Sequence, residues 1–69
     1  MDNSVYKIIE LVGTSEESWE EAANNAVDKA NETLRGLRIA EVNKLDLKLD
    51  DKGRVVAYRA RLSLSFKYE

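Results

Sequence analysis

The chain has 69 residues, 13 acidic and 11 basic, a net charge of −2, and no cysteine, histidine or proline. That composition excludes disulfides, thiolate or imidazole metal sites and a histidine general base, and its mixed charge gives no general attraction to nucleic acid. A chain this short buries only about 60% of its unfolded surface, so with disulfides gone oligomerisation is the expected stabiliser. Oxygen ligands remain, which suit hard cations such as Ca²⁺ or Mg²⁺. No stretch approaches the length of a membrane span, and Met1-Asp2-Asn3-Ser4 lacks the regions of a signal peptide. A cytoplasmic location is expected, with neither membrane nor nucleic acid as partner.

Val5 to Val12 reads as a strand with Val5, Ile9 and Leu11 on one face and Tyr6, Ile8 and Val12 on the other. Both faces are largely apolar, which predicts a strand covered on both sides. The run stops at Gly13. Thr14 with Glu17, or Ser15 with Ser18, then offers a hydroxyl cap, and Glu16 and Glu17 fall where a helix dipole favours carboxylates.

A helix is predicted from about Ser15 to Leu34. Trp19, Ala22, Ala23, Ala26, Ala30, Thr33 and Leu34 recur at spacings of three and four and make one face. A stripe dominated by alanine lets a helix lie close to a sheet, and Trp19 is expected in that core. Gly36 follows where a left-handed helix cap is expected.

Arg38 to Asp50 reads as a second strand, in which the apolar positions change parity. Ala40 and Val42 are even; Leu45, Leu47 and Leu49 are odd. A regular strand keeps its parity, so a bulge near Asn43 or a change of buried surface is expected. Asp50-Asp51-Lys52-Gly53 suits a type I turn closed by a glycine bulge. Val55 to Tyr68 is the third strand, with Ala60, Leu62, Leu64, Phe66 and Tyr68 on one face and Arg59, Arg61, Ser63, Ser65 and Lys67 on the other.

The fold class is therefore α+β, a single β-α-β-β domain over residues 1–69, its last two strands a long antiparallel hairpin. Strands of a dozen residues reach roughly 40 Å and a helix of about 20 residues about 30 Å. One helix cannot cover such a sheet, so the remaining apolar surface must meet another subunit.

Val5-Tyr6-Lys7, Glu10-Leu11-Val12-Gly13-Thr14-Ser15, the acidic helix, Ala40-Glu41-Val42 and a Tyr58-containing strand ending in Phe66 follow one another over nearly the whole chain. This pattern resembles the dodecins. The resemblance implies a three-stranded antiparallel sheet partly wrapped around one helix, and twelve copies in a hollow shell of tetrahedral symmetry.

In flavin-binding dodecins a tryptophan just before the Glu-Val segment stacks on the isoalloxazine ring, paired flavins lie between symmetry-related tryptophans, and a glutamine after the third-strand tyrosine hydrogen-bonds the ring. Here Ile39 and Arg59 stand at those two positions. Stacking of a base-like ring on an aromatic is worth about 1–3 kcal/mol, which Ile39 does not supply. The Arg38-Ile39-Ala40-Glu41-Val42 variant, with Trp19 on the helix, is more similar to the calcium-dodecin subgroup, which keeps the shell and is associated with calcium.

The expected role is a homododecamer that stores or buffers a small ligand or ion, with Ca²⁺ favoured over flavin. Arg38, Ile39, Tyr58 and Arg59 match the family's flavin pocket; Glu16 and Glu17 are the candidate metal ligands. The alternatives are a flavin (riboflavin or FMN) or coenzyme A carrier, in which Arg38 and Arg59 meet phosphate or ribityl groups, and a purely structural shell. Arg59 and Arg61 have a simpler reading, as cross-strand partners of Glu41 or Asp46. Asp50 and Asp51 read as an ordinary polar turn, since no EF-hand loop is present. Without histidine, cysteine or a nucleophile or phosphate-loop motif, no catalytic residue is assigned.

Overall fold

The computed structural model describes residues 5–68; residues 1–4, Glu69 and the side chain of Tyr68, expected on the inward face of the third strand, lie outside the described residues. Strand β1 (Val5–Ser15) leads into helix α1 (Trp19–Asn31), followed by β2 (Leu37–Leu49) and β3 (Val55–Tyr68). The strands form one sheet in the order β1-β3-β2, and both pairings are antiparallel. β3 thus lies between β1 and β2, which run parallel to each other.

The core lies between α1 and the middle of β3. Ala22, Ala26 and Ala30 of the helix meet Ala60, Leu62 and Leu64, all buried, with Ile9, Leu11, Ala23, Val27, Leu34 and Leu37 packed around them. Small residues on the helix stripe bring the backbones together, and Gly13 takes this furthest. A β-carbon there would overlap the carbonyl oxygen of Ala22, so no side chain fits beneath the helix.

At about 1.5 Å per residue the 13-residue helix spans about 20 Å. The 14 residues of β3 reach about 45 Å at about 3.3 Å each. The Cα envelope, 52 × 20 × 16 Å, has that elongation. The β2–β3 hairpin runs past the helix and exposes Leu45, Leu47, Leu49, Val55 and Val56. At its tip the Gly53 N–H donates to the Asp50 carbonyl (3.1 Å), and Asp50 Oδ1 accepts from the Lys52 and Arg54 N–H groups (2.8 and 2.9 Å). The expected polar turn is present, and Asp50 Oδ1 is engaged in it.

The parity change in β2 is a bulge. The register shifts between Val42, opposite Leu62, and Lys44, opposite Arg61, leaving Asn43 as the extra residue. Its amide Nδ2 donates to Ser63 Oγ at 2.7 Å.

Four expectations are corrected. β1 does not end at Val12: Gly13, Thr14 and Ser15 continue the ladder opposite Ala60, Arg59 and Tyr58. The helix consequently starts at Trp19, capped by Ser18, whose hydroxyl accepts from the Glu21 N–H at 3.0 Å. It ends at Asn31, so Gly36 is no helix cap; with φ +74° it turns the chain into β2, and its carbonyl accepts from the Lys67 N–H. Finally, β1 is covered by α1 on one face only, and Tyr6, Ile8 and Val12 on the other are 42–61% exposed within one chain.

Candidate functional site

The four positions of the expected pocket do not converge within one chain. Residues directly opposed in an antiparallel pair point to the same face. Leu64 and Leu62 face the helix, so Ser65 and its partner Ile39 face away from it, as do Arg59 and its partner Asp46. Tyr58 lies on the helix side, edge-to-face with Trp19 at 5.1 Å between ring centroids. Six residues of β3 separate the rungs of Ile39 and Arg59, about 20 Å at about 3.3 Å per residue. Arg38, at a register shift between Leu37 and Ile39, borders a cavity of about 170 Å³ with Val27, Asn31, Leu37, Ile39 and Ala40.

Arg59 is already committed. Its Nε and Nη2 donate to Asp46 Oδ1 and Oδ2 at 2.8 and 3.2 Å, a two-point contact across the β2–β3 ladder. Hydrogen bonds from Arg59 hold the Asp46 carboxyl below the usual carboxylate range, and Asp46 in turn raises Arg59. The cross-strand reading of Arg59 is the observed one. Arg61 sits instead opposite Lys44 on one side and Val12 on the other.

The candidate ligands Glu16 and Glu17 lie in the exposed turn between β1 and α1. With Thr14, Ser15, Glu21, Asn25 and Ala57 they line a cavity of about 450 Å³. The Ser15 hydroxyl organises this junction. It is buried, donates to Glu21 Oε1 at 2.6 Å, and accepts from the N–H groups of Glu17 (2.9 Å) and Ser18 (3.4 Å). Asn25 Nδ2 donates to the Thr14 carbonyl at 2.9 Å. Among the described residues no three acidic side chains come together closely enough to hold a metal ion.

Sequence reasoning missed the surroundings of Trp19. It is half-buried rather than in the core: its indole N–H donates to the Asp46 carbonyl at 3.1 Å, and it borders a groove of about 330 Å³ with Glu20, Ala23, Val42 and Leu45. Two signals were available. Trp19 is the first residue of its helical stripe, which places it over the sheet's edge, and the parity change turns Leu45 toward the helix side.

Comparison with known proteins settles the family. The dodecin family model matches residues 5–69. The chain belongs to the dodecin family. Calcium dodecin of Mycobacterium tuberculosis is 44% identical over 64 residues, covering 93% of this chain and 89% of that protein. A solved structure of that relative, described as calcium chelating with a novel calcium-binding site, superposes with a TM-score of 0.83 at 42% identity, covering 96% of this chain and 93% of that one. Dodecin from Thermus thermophilus is 42% identical over 65 residues, covering 94% and 93%. The structure of dodecin from Streptomyces coelicolor gives a TM-score of 0.90 at 38% identity, covering 100% and 97%. The β-α-β-β order and antiparallel sheet of this dodecin chain agree with that neighbour.

For a dodecin, the residues present do not fit the flavin pattern. Ile39 offers no aromatic face, and the fork of Arg59 is held by Asp46. Calcium takes six to eight oxygens. The junction of one chain offers the carboxylates of Glu16 and Glu17, with Glu21 held in part by Ser15.

Proposed function

We propose that this chain is one single-domain subunit of a hollow homododecamer that stores or buffers a small ligand or an ion in the cytoplasm, with calcium favoured over flavin and no catalytic role. The observation that carries the reading is exposed apolar surface. Eleven large hydrophobic side chains among the described residues are 41–62% exposed, which a soluble monomer of this size does not sustain. Most lie on the outer sheet face or on the hairpin beyond the helix, the parts one helix does not cover, while Val42 and Leu45 border the groove beside Trp19. The calcium preference is supported by Ile39 and Arg59, by the absence of histidine and cysteine from the sequence, and by the M. tuberculosis relative.

Native mass spectrometry of the purified protein tests the assembly and its cargo together. Twelve subunits are expected, and a monomer overturns the reading. Calorimetric titration is expected to show heat with Ca²⁺ at millimolar metal; no heat removes calcium. FMN fluorescence is expected to stay unquenched on adding protein, and quenching would restore the flavin carrier.

A second reading rests on Arg38. It is in no ion pair among the described residues and borders a small cavity, so the phosphate of a coenzyme is the ligand class it suits. A bound organophosphate in the native spectrum would favour it.

A further inference from the structure

The three-stranded sheet narrows to two strands at Tyr58. β1 ends there, with Ser15 opposite Tyr58, while β2 and β3 pair on through Leu47–Tyr58 and Lys48–Ala57 to Leu49–Val55. Val56 is the extra residue of a bulge just beyond the narrowing. A two-stranded ribbon is marginally stable in water, twists more than a wider sheet, and bends at a bulge. The arm from Lys48 to Ala57 also lies past the helix, with Leu49, Val55 and Val56 exposed. Its own ladder therefore does little to fix its angle to the rest of the molecule.

Trp19 sits at the root of this arm and touches both strands there. Its indole N–H donates to the Asp46 carbonyl of β2 at 3.1 Å, and its ring meets Tyr58 of β3 edge-to-face at 5.1 Å. Among the described residues this is the one hydrogen bond from α1 to β2. The helix start is itself fastened to the end of β1, through Ser15 to Glu21 and Asn25 to Thr14. The Arg59–Asp46 pair joins β2 to β3 at the neighbouring rung but holds neither strand to the helix. We infer that Trp19 is a positioning residue that pins the arm to the helix, and that the arm from Lys48 to Ala57 opens as a unit about the Leu47–Tyr58 rung when the pin lets go.

This opening reaches the cavity at the junction of β1 and α1. The walls of that cavity belong to β1, to the turn after it and to α1, with one exception: Ala57, the arm residue next to Tyr58. An arm that swings carries Ala57 with it and leaves Thr14, Glu17 and Asn25 in place. The pinned arm is thus one wall of the cavity. Its opening widens the way to Glu16 and Glu17 without disturbing the helix or the core beneath it.

Hydrogen exchange on the protein as purified, whatever its subunit number, tests the pin. In the parent, hydrogen-bonded amides between Lys48 and Ala57 are expected to exchange through an opening that depends weakly on urea, because it exposes little surface. Those of Leu62 and Leu64 are expected to need an opening that depends on urea strongly. Trp19→Phe keeps a ring beside Tyr58 and removes the donor. It is expected to speed exchange in the arm about fivefold and to leave Leu62 and Leu64 within about twofold. Trp19→Leu removes both contacts, and a rise of about thirtyfold in the arm is expected. An equal rise in arm and core makes Trp19 an ordinary stabilising side chain and overturns the inference. So does arm exchange that neither variant changes, or a parent whose arm and core share one urea-dependent opening. The parent measurement decides by itself should a variant fail to fold.

Discussion

Gly13 lies at the closest approach of helix and sheet. Its place is set by space rather than by backbone angle, since its φ is not positive, unlike that of Gly36 or Gly53. An added β-carbon would overlap the Ala22 carbonyl oxygen and stand 3.0 Å from the Ala26 β-carbon. Neither neighbour is the end of a flexible side chain, so α1 must move off the sheet to admit it. Gly13→Ala is expected to lower unfolding stability by about 1–3 kcal/mol, the usual range for overpacking, read as a lower urea midpoint. The same residue explains a boundary that was not legible. Gly-Thr-Ser followed by carboxylates reads as a helix cap, yet nothing local reveals that Gly13 to Ser15 pair with Ala60 to Tyr58. Ser15 has the expected hydroxyl role at the turn, while the cap proper falls to Ser18.

Among the elements, β3 holds the molecule together. It pairs with both other strands and turns Ala60, Leu62 and Leu64 under the helix. This was legible because alternation from Tyr58 onward is unbroken and period two has one meaning in a half-buried strand. Leu62 and Leu64 are its largest fully buried side chains. Leu62→Ala is expected to cost about 2–5 kcal/mol in denaturant unfolding, the range for a buried leucine that leaves a cavity. The bulge in β2 was equally legible, as a change of parity. What no parity rule gives is distance. Ile39 and Arg59 both match the family's flavin pocket, and only the register shows that their rungs lie six residues apart along β3 within one chain. The Asp46–Arg59 pair joins the same two strands and makes their stability respond to acid. The folded-state pKa of Asp46 lies below its unfolded value. Its contribution is therefore present above the ordinary carboxylate range and is lost as pH falls through the depressed value. Asp46→Asn is expected to weaken the protein at neutral pH and to converge on the parent in acid, read from urea midpoints at pH 7 and below pH 4.

At the scale of the whole molecule, apolar sheet surface beyond the reach of one helix was foreseen from element lengths, although the helix is shorter than expected and β1 is covered on one face rather than two. The point where the sheet narrows to two strands was not foreseen, because the register of β1 on β3 sets it. If assembly supports folding, Tm should rise with protein concentration, as it does wherever a partner binds only the native chain. A tenfold dilution series followed by circular dichroism checks this, and a Tm independent of concentration would mark a self-sufficient monomer.

The central place of β3 also governs how the fold can be reached. β1 and β2 share no ladder, so the sheet cannot grow outward from its first strand; it closes around the third. Val5 pairs with Tyr68, residues from opposite ends of the described chain. The hairpin of β2 and β3 is local and can form early, whereas β1 must wait to be joined from far along the sequence, a contact that carries a high loop-closure cost. Until that step an apolar strand and one face of an alanine-rich helix have nowhere to go. The interval before β1 docks is when a chain of this design is most exposed to joining the wrong neighbour.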